Sequence, residues 1–165
     1  MRDEKVSLPR IKLLHPKIAD EVVNLIDVAE KEISPNISIR IVQGIRTFKE
    51  QDELYAIGRT KPGKKVTNAS AGKSFHNYGL AIDFSLLVNG GKELSWDTQK
   101  DWDGDNIPDW IEVVRVFTKA GYEWGGAWKF KDFPHFQKTF GYTYGQLLIK
   151  YNIGNFIPGT QYVNI

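Results

Sequence analysis

Two histidines and one aspartate are the residues of this sequence best suited to chemistry. The chain has three histidines and no cysteine, so a metal site would have to use His, Asp and Glu side chains. His76 and Asp83 lie in the segment SFHNYGLAID, and His135 lies farther along in DFPHF. Two histidines and a carboxylate, with a fourth position left open, are typical of a catalytic zinc site that activates water for hydrolysis.

A strand over residues 79–88 is expected to carry Asp83. Apolar residues alternate with small or polar ones along this segment, which places Asp83 on the face opposite Ile82 and Phe84. Burying a carboxylate there is costly unless it is paired or bound to a metal. His76 precedes the strand by one turn, so it can fold back over the polar face, whereas His135 must come from a distant segment.

The residues alone leave another interpretation open. His76 could cap a loop, Asp83 could pair with Arg46, and His135 could be a core histidine. His15 precedes a proline at an expected helix start, and we interpret it as a structural residue.

The rest of the chain is expected to form a single α+β domain, with the zinc site on a small, mostly antiparallel sheet flanked by helices. Apolar periodicity, caps and glycines predict the elements. They are a helix over 16–33, a strand over 38–42, a helix opened by a Thr47/Glu50 capping box and closed by Gly58, a loop over 58–74, a helix over 108–120, a strand through His135 after the aromatic, glycine-rich segment 122–130, and a helix over 145–152.

Composition narrows the range of functions that the sequence allows. The chain is 41% hydrophobic and 25% charged, as in an ordinary globular domain. Its 165 residues suffice for one domain (1–165) and leave no room for a separate domain, such as one that binds a cell wall. A net charge of +2 does not favour nucleic-acid binding, and no apolar run is long enough to span a membrane. The N-terminus lacks the apolar segment of a secretory signal. We therefore expect a monomer made in the cytoplasm. If the family resemblance described next holds, it would act on a cell wall after release, should a phage encode it.

A family resemblance sharpens these expectations. The pattern S-x-H-x-x-G-x-A-x-D is present in full over residues 74–83, and D-x-x-H follows at 132–135. Together they resemble the zinc peptidases of the D-alanyl-D-alanine carboxypeptidase and L-alanyl-D-glutamate endopeptidase family. Segment 44–69 looks like the phage endolysin branch, and the likeness covers roughly residues 37–155. It implies one zinc ion on His76, Asp83 and His135, with peptidoglycan as the partner.

The resemblance also implies roles for residues around the metal. Asp132, where many relatives carry Glu, would be the general base. Arg46 would bind the substrate and stabilise the oxyanion, although it could instead form an ion pair with Glu50. Ser74 would hydrogen-bond near the metal or substrate, and Gln51 would line the cleft. Aromatic residues that could wall the cleft, or equally belong to the core, are Trp124, Trp128 and Phe136.

A second acidic cluster lies in DWDGDNIPDWIE, residues 101–112. Its carboxylates occupy the positions of a calcium-binding loop, with Asn106 where such loops carry Gly. The alternative is a solvated acidic loop that caps the following helix. The five candidate ligands are Asp101, Asp103, Asp105, Asp109 and Glu112.

Three functions are compatible with these features. The first is a zinc metallopeptidase that cuts the L-alanyl-D-glutamate bond of the peptidoglycan stem, as an endolysin or autolysin does. The second is a D-alanyl-D-alanine carboxypeptidase, which trims the stem. The third is a wall-binding module that keeps the zinc but does not catalyse.

Overall fold

A five-stranded antiparallel sheet carries two of the predicted metal ligands, Asp83 and His135, and five helices pack around it. The computed structural model describes all 165 residues. The helices are α1 (Glu4–Ile11), α2 (Pro16–Glu32), α3 (Phe48–Ala56), α4 (Asp109–Lys119) and α5 (Tyr144–Asn152). The strands are β1 (Ser38–Gln43), β2 (Ala81–Val88), β3 (Glu93–Ser95), β4 (Glu123–Trp124) and β5 (His135–Gln137). The strand order is β1-β2-β5-β4, with β3 also paired to β2, so the predicted α+β class is confirmed.

Strand β2 divides the apolar core from the polar face. Ile82, Phe84 and Leu86 are almost fully buried in the core, because alternate residues of a strand point to opposite faces. Helix α4 packs on this side, where the Trp110 ring lies 4.3 Å from the ring of Phe84. Asp83 points the other way, as the alternation predicts.

Helices α2 and α3 begin and end close to the predicted positions. His15 caps α2, because its Nδ1 accepts a hydrogen bond from the backbone N–H of Lys17, and its fully buried ring is structural as expected. The capping box at the start of α3 is present in both directions between Thr47 and Glu50. Glu50 is therefore engaged by the cap rather than by Arg46.

Four elements differ from the expectations. The short strands β3 and β4 were not predicted. Helix α1 was not predicted, since Pro9 lies inside it and proline is a poor guide to a helix interior. The strand expected to run through His135 begins at that residue instead. A 3₁₀ turn over Gly125–Ala127 and the absence of an N–H on Pro134 keep the preceding segment out of the sheet. No helix of the structure is long and apolar enough to cross a membrane.

Candidate metal centre and cleft

The sheet register brings two of the predicted ligands together. Asp83 on β2 lies directly opposite His135 on β5 in the antiparallel ladder, where side chains of paired residues share a face. His76 arrives from the 3₁₀ turn Phe75–Tyr78, which ends at Gly79 in the left-handed conformation, with φ of 68°. A side chain at Gly79 would also lie 2.7 Å from the backbone nitrogen of His15. This glycine therefore lets His76 fold back over the sheet.

The three side chains offer one donor atom each at nearly equal separations. His76 Nε2 lies 3.2 Å from Asp83 Oδ1 and 3.2 Å from His135 Nδ1. His135 Nδ1 lies 3.1 Å from Asp83 Oδ1. A tetrahedral zinc with bonds of about 2.0–2.1 Å separates its ligand atoms by about 3.3–3.4 Å. The triangle therefore has the size that a small tetrahedral cation requires, and this group could hold a metal ion.

Each histidine forms a hydrogen bond through the ring nitrogen that points away from the cluster, and this bond determines which nitrogen carries the proton. His76 Nδ1 lies 2.7 Å from the carbonyl oxygen of Gly44, which can only accept, so Nδ1 carries the proton. Gln137 donates from Nε2 to the Glu123 carboxylate at 2.9 Å, which turns its Oε1 toward His135 Nε2 at 3.1 Å. His135 must therefore donate from Nε2. Both inner nitrogens, His76 Nε2 and His135 Nδ1, are left as unprotonated donors.

Electrostatics at the cluster favour a cation. Burial alone would raise the pKa of Asp83, but when the imidazoles are protonated, the charge of His76 and hydrogen bonds from both histidines hold it far below its usual range. Burial lowers the pKa of His135, yet its hydrogen bond and charge interaction with Asp83 raise it overall. Two buried imidazoles and one carboxylate thus attract positive charge to one point.

The cluster lies in a cleft of about 960 Å³ whose lining includes most of the other predicted residues. Asp132, Arg46 and Ser74 line it together with the three cluster residues. Trp128 also lines it, with its ring 5.1 Å from that of His135. Phe136 is fully buried in the core instead, and Trp124 donates its indole N–H to the carbonyl of Phe133.

Asp132 has the environment of a base. Asp132 is exposed on the cleft wall, but neighbouring groups keep water from part of its carboxyl; this desolvation is the main cause that raises its pKa, and the negative charge of Asp83 adds to the increase. Its position depends on Gly125, whose carbonyl accepts the Asp132 backbone N–H at 3.1 Å. A Cβ on Gly125 would collide with the Asp132 carbonyl, and a Cβ on Gly126 would overlap the Trp124 ring. This glycine pair was not singled out from the sequence.

Arg46 is held in the cleft from two sides. Its Nη1 donates to Gln51 Oε1 at 2.9 Å, and its Nη2 lies 3.8 Å from Asp83 Oδ2. The predicted cleft-lining role of Gln51 is wrong, because this residue is fully buried. Gln51 instead donates to the carbonyl of Ala69 at 2.7 Å and so fixes the guanidinium from behind. Ser74 caps the 3₁₀ turn, with its Oγ accepting from the N–H of His76 at 3.4 Å.

Residues that sequence reasoning missed lie just outside the cluster. They are Gly44, Gln137 and Glu123. Gln137 follows His135 by two residues in a strand, and that spacing places both on one face; it is the one signal that could have revealed this partner. The Gly44 contact uses a backbone carbonyl, which has no signature in the sequence.

Two histidines and a carboxylate that could hold a metal ion, with a further carboxylate lining the same cleft, are an arrangement typical of hydrolytic metal centres. Residues 67–138 match the family model described as D-alanyl-D-alanine carboxypeptidase. The chain is 46% identical over 125 residues to the peptidoglycan L-alanyl-D-glutamate endopeptidase CwlK of Bacillus subtilis, covering 75% of this chain and 72% of that protein. The crystal structure of the Serratia marcescens L-Ala D-Glu endopeptidase ChiX matches with a TM-score of 0.53 and 28% identity, over 82% of this chain and 87% of that one.

The chain therefore belongs to the family of D-alanyl-D-alanine carboxypeptidases and L-alanyl-D-glutamate endopeptidases. This confirms the family resemblance drawn from the 74–83 and 132–135 motifs. It also confirms that the protein is a peptidase. The endolysin-like branch stays a prediction.

Proposed function

We propose that this protein is a zinc-dependent endopeptidase that hydrolyses the L-alanyl-D-glutamate bond of the peptidoglycan stem. The observation that carries the proposal is the triangle of three unprotonated donor atoms, 3.1–3.2 Å apart, at the floor of the cleft. The choice of bond follows the two relatives, both of which are named for that activity.

Zinc fits the donor set better than other common cations. Two imidazole nitrogens and one carboxylate oxygen suit a borderline-soft ion, whereas magnesium and calcium prefer oxygen ligands. His76, Asp83 and His135, which all line the cleft, would hold one zinc ion. When bound, zinc supplies a Lewis acid that polarises the amide carbonyl and makes water more acidic.

Asp132 moves the proton during hydrolysis. Its carboxylate accepts a proton from the water that attacks the carbonyl carbon, and it returns this proton to the nitrogen as the C–N bond breaks. The products are a carboxylate on the alanine side and a free amine on the glutamate side. The raised pKa of Asp132 makes it a stronger base than an aspartate with the ordinary pKa, which suits this transfer.

Arg46 stabilises the charge that develops on the carbonyl oxygen. A guanidinium keeps its positive charge at all relevant pH values and offers several donors in a fixed plane. Because Gln51 and Asp83 already hold the group, little reorganisation is needed when the oxyanion forms. Ser74 lines the same wall of the cleft and would hydrogen-bond the substrate beside His76.

The product of digestion tests the choice of bond. Purified peptidoglycan is incubated with the zinc-loaded protein, and the newly freed amines are labelled and identified by mass spectrometry. We expect glutamate residues with free amino groups, and none with the Asp132→Ala variant. Release of free D-alanine would instead identify a carboxypeptidase. No release by a folded, zinc-loaded protein would identify a non-catalytic wall-binding module.

A further inference from the structure

The acidic loop 101–112 lies outside the cleft, before helix α4. Its residues Asp101, Asp103 and Asp109 place one carboxylate oxygen each within 4.8 Å of one another. Asp109 is fully buried, and its two oxygens accept the backbone N–H groups of Ser34 and Trp102, both at 2.9 Å. Such a cluster does not by itself indicate a ligand, because exposed acidic loops are common.

Glu112, at the end of the loop, has a buried carboxylate oxygen without a partner. Only 7% of this residue is exposed, and its Oε2 is buried without any hydrogen-bond partner. A buried carboxylate oxygen without a donor is costly, and most such atoms in folded proteins are paired. Glu112 is therefore short of a positively charged or hydrogen-bonding partner in the protein itself.

The Glu112 side chain is directed at the aspartates. It lies one helical turn after Asp109 on α4, and side chains on a helix tilt toward its N-terminus, where the acidic cluster lies. Burial raises the pKa of Glu112 to about 7, and the negative charges of Asp105, Asp103 and Asp109 contribute to this increase. Four carboxylates thus converge without a neighbouring cation to balance them.

We propose that loop 101–112 is a calcium site that stabilises the fold, in which Glu112 completes a set of carboxylates and one backbone carbonyl. Calcium takes six to eight oxygen ligands in flexible geometry, and the loop offers Asp101, Asp103, Asp105, Asp109, Glu112 and the Ile107 carbonyl. Magnesium is less suitable, because it requires near-ideal octahedral geometry and gives up its waters reluctantly.

The backbone of the loop is already folded in a way that permits this. Asn106 adopts the left-handed conformation, with φ of 74°, at the position where calcium loops usually carry glycine. Its N–H donates to Asp101 Oδ2 at 2.9 Å. The departure from glycine noted in the sequence is therefore accommodated, since asparagine tolerates this conformation better than most residues.

Calcium would stabilise the apolar core behind the cleft through helix α4. The Trp110 ring contacts Phe84, and the Phe117 ring lies 4.8 Å from Phe136. Phe84 and Phe136 each follow a residue of the His/Asp/His cluster directly in the chain. Fixing the start of α4 therefore stabilises the apolar layer behind those ligands, and the main consequence should be a more stable fold.

Calorimetry and thermal melting of the zinc-loaded protein test the site. Titration with calcium chloride should give heat with one ion bound per chain. At about a hundredfold excess over Kd, the melting temperature should rise by about 5–10 °C, with a smaller rise in magnesium chloride. No heat and an unchanged melting temperature would overturn the proposal.

Two variants and a control identify the ligands. Glu112→Gln removes a buried charge, so without calcium it should melt at or above the wild-type temperature, yet it should lose most of the calcium-induced rise. Asp103→Asn, at an exposed position, should weaken calcium binding at least about tenfold without affecting folding. Asp20→Asn, exposed on α2 about three turns from the end of that helix, should respond like the wild type. Equal responses of all three variants would show that calcium acts elsewhere.

Discussion

The His76–Asp83–His135 cluster and the acidic loop 101–112 both gather side chains that bind cations, but they differ in how the surrounding polar atoms are satisfied. In the first cluster, Gly44 and Gln137 take the outer protons of the two imidazoles. In the loop, backbone N–H groups satisfy the aspartates, and Glu112 has a buried oxygen without a partner. One cluster is a triangle of mixed nitrogen and oxygen donors, and the other is an all-oxygen loop beside one buried, unpaired carboxylate oxygen.

This difference indicates that the two clusters have different roles. A rigid site with few ligands leaves room for a substrate and keeps its geometry during turnover. A site with many oxygens encloses its ion and contributes stability instead. Changing one cluster, and then measuring both zinc binding with activity and the calcium-induced rise in melting temperature, tests this difference in roles.

The largest effect is expected from His76→Ala. Losing one of three ligands should remove zinc and reduce peptidoglycan hydrolysis by more than the about 10–100-fold typical of changes to outer partners. Elemental analysis after gel filtration measures the zinc, and circular dichroism should show that the fold is kept. The calcium-induced rise in melting temperature should persist in this variant. A full complement of zinc would contradict the assignment of His76.

Asp132→Ala should retain zinc and lose turnover. Removing a general base typically lowers kcat by about 10²–10⁴-fold, and we expect KM to change little. Steady-state kinetics on a soluble stem peptide, with zinc measured in the same preparation, separates the two effects. Asp20→Asn serves as the matched control, as it removes one exposed carboxylate that does not line the cleft. Near-normal kcat in the Asp132 variant would mean that another group is the base.

Arg46→Ala should lower kcat by about 10²–10³-fold, the range for removing an oxyanion donor. Gln51→Leu should have a smaller effect in the same direction, because it only loosens the guanidinium that Gln51 holds at 2.9 Å. Both variants are compared by kcat and KM on the same substrate. An increase in KM alone for the Arg46 variant would make this residue a substrate anchor.

Gln137→Leu removes the acceptor that fixes the His135 tautomer. Loss of such a partner typically weakens metal binding by about 10–100-fold. Competition with a chelator of known zinc affinity measures this change, and saturating zinc should restore most of the activity. Unchanged zinc affinity would show that His135 is oriented by its strand alone.

The smallest effect is expected from Asp103→Asn on the zinc site. The acidic loop and the cleft share no hydrogen-bond partner, so zinc affinity and kcat should stay within about twofold of the wild type well below the melting temperature. The same chelator competition and kinetics provide the measurement. A tenfold loss of zinc affinity would show that the two clusters are coupled rather than independent.

Much of the site could be predicted because periodic patterns place it. Alternation along β2 put Asp83 on the polar face, and the Thr47 capping box located α3. Helix α1 gave no such signal; its place is set by distant contacts such as the bond from the Ile41 N–H to Ser7 Oγ at 2.9 Å. The role of Gln51 also depends on where a remote loop passes, since its partner Ala69 lies eighteen residues away. Local patterns predict the helices and strands, whereas long-range contacts decide which partners each side chain has.

The glycine pair at positions 125 and 126 has a consequence for engineering this protein. Libraries that aim to change cleft specificity would naturally vary the segment between Trp124 and His135. At both glycines even one added methyl group would collide with the chain, at Asp132 in one case and at the Trp124 ring in the other. A mutational scan should therefore find these two positions intolerant of alanine, while exposed neighbours such as Phe130 accept many residues. Diversity in this segment is best confined to the side chains that face solvent.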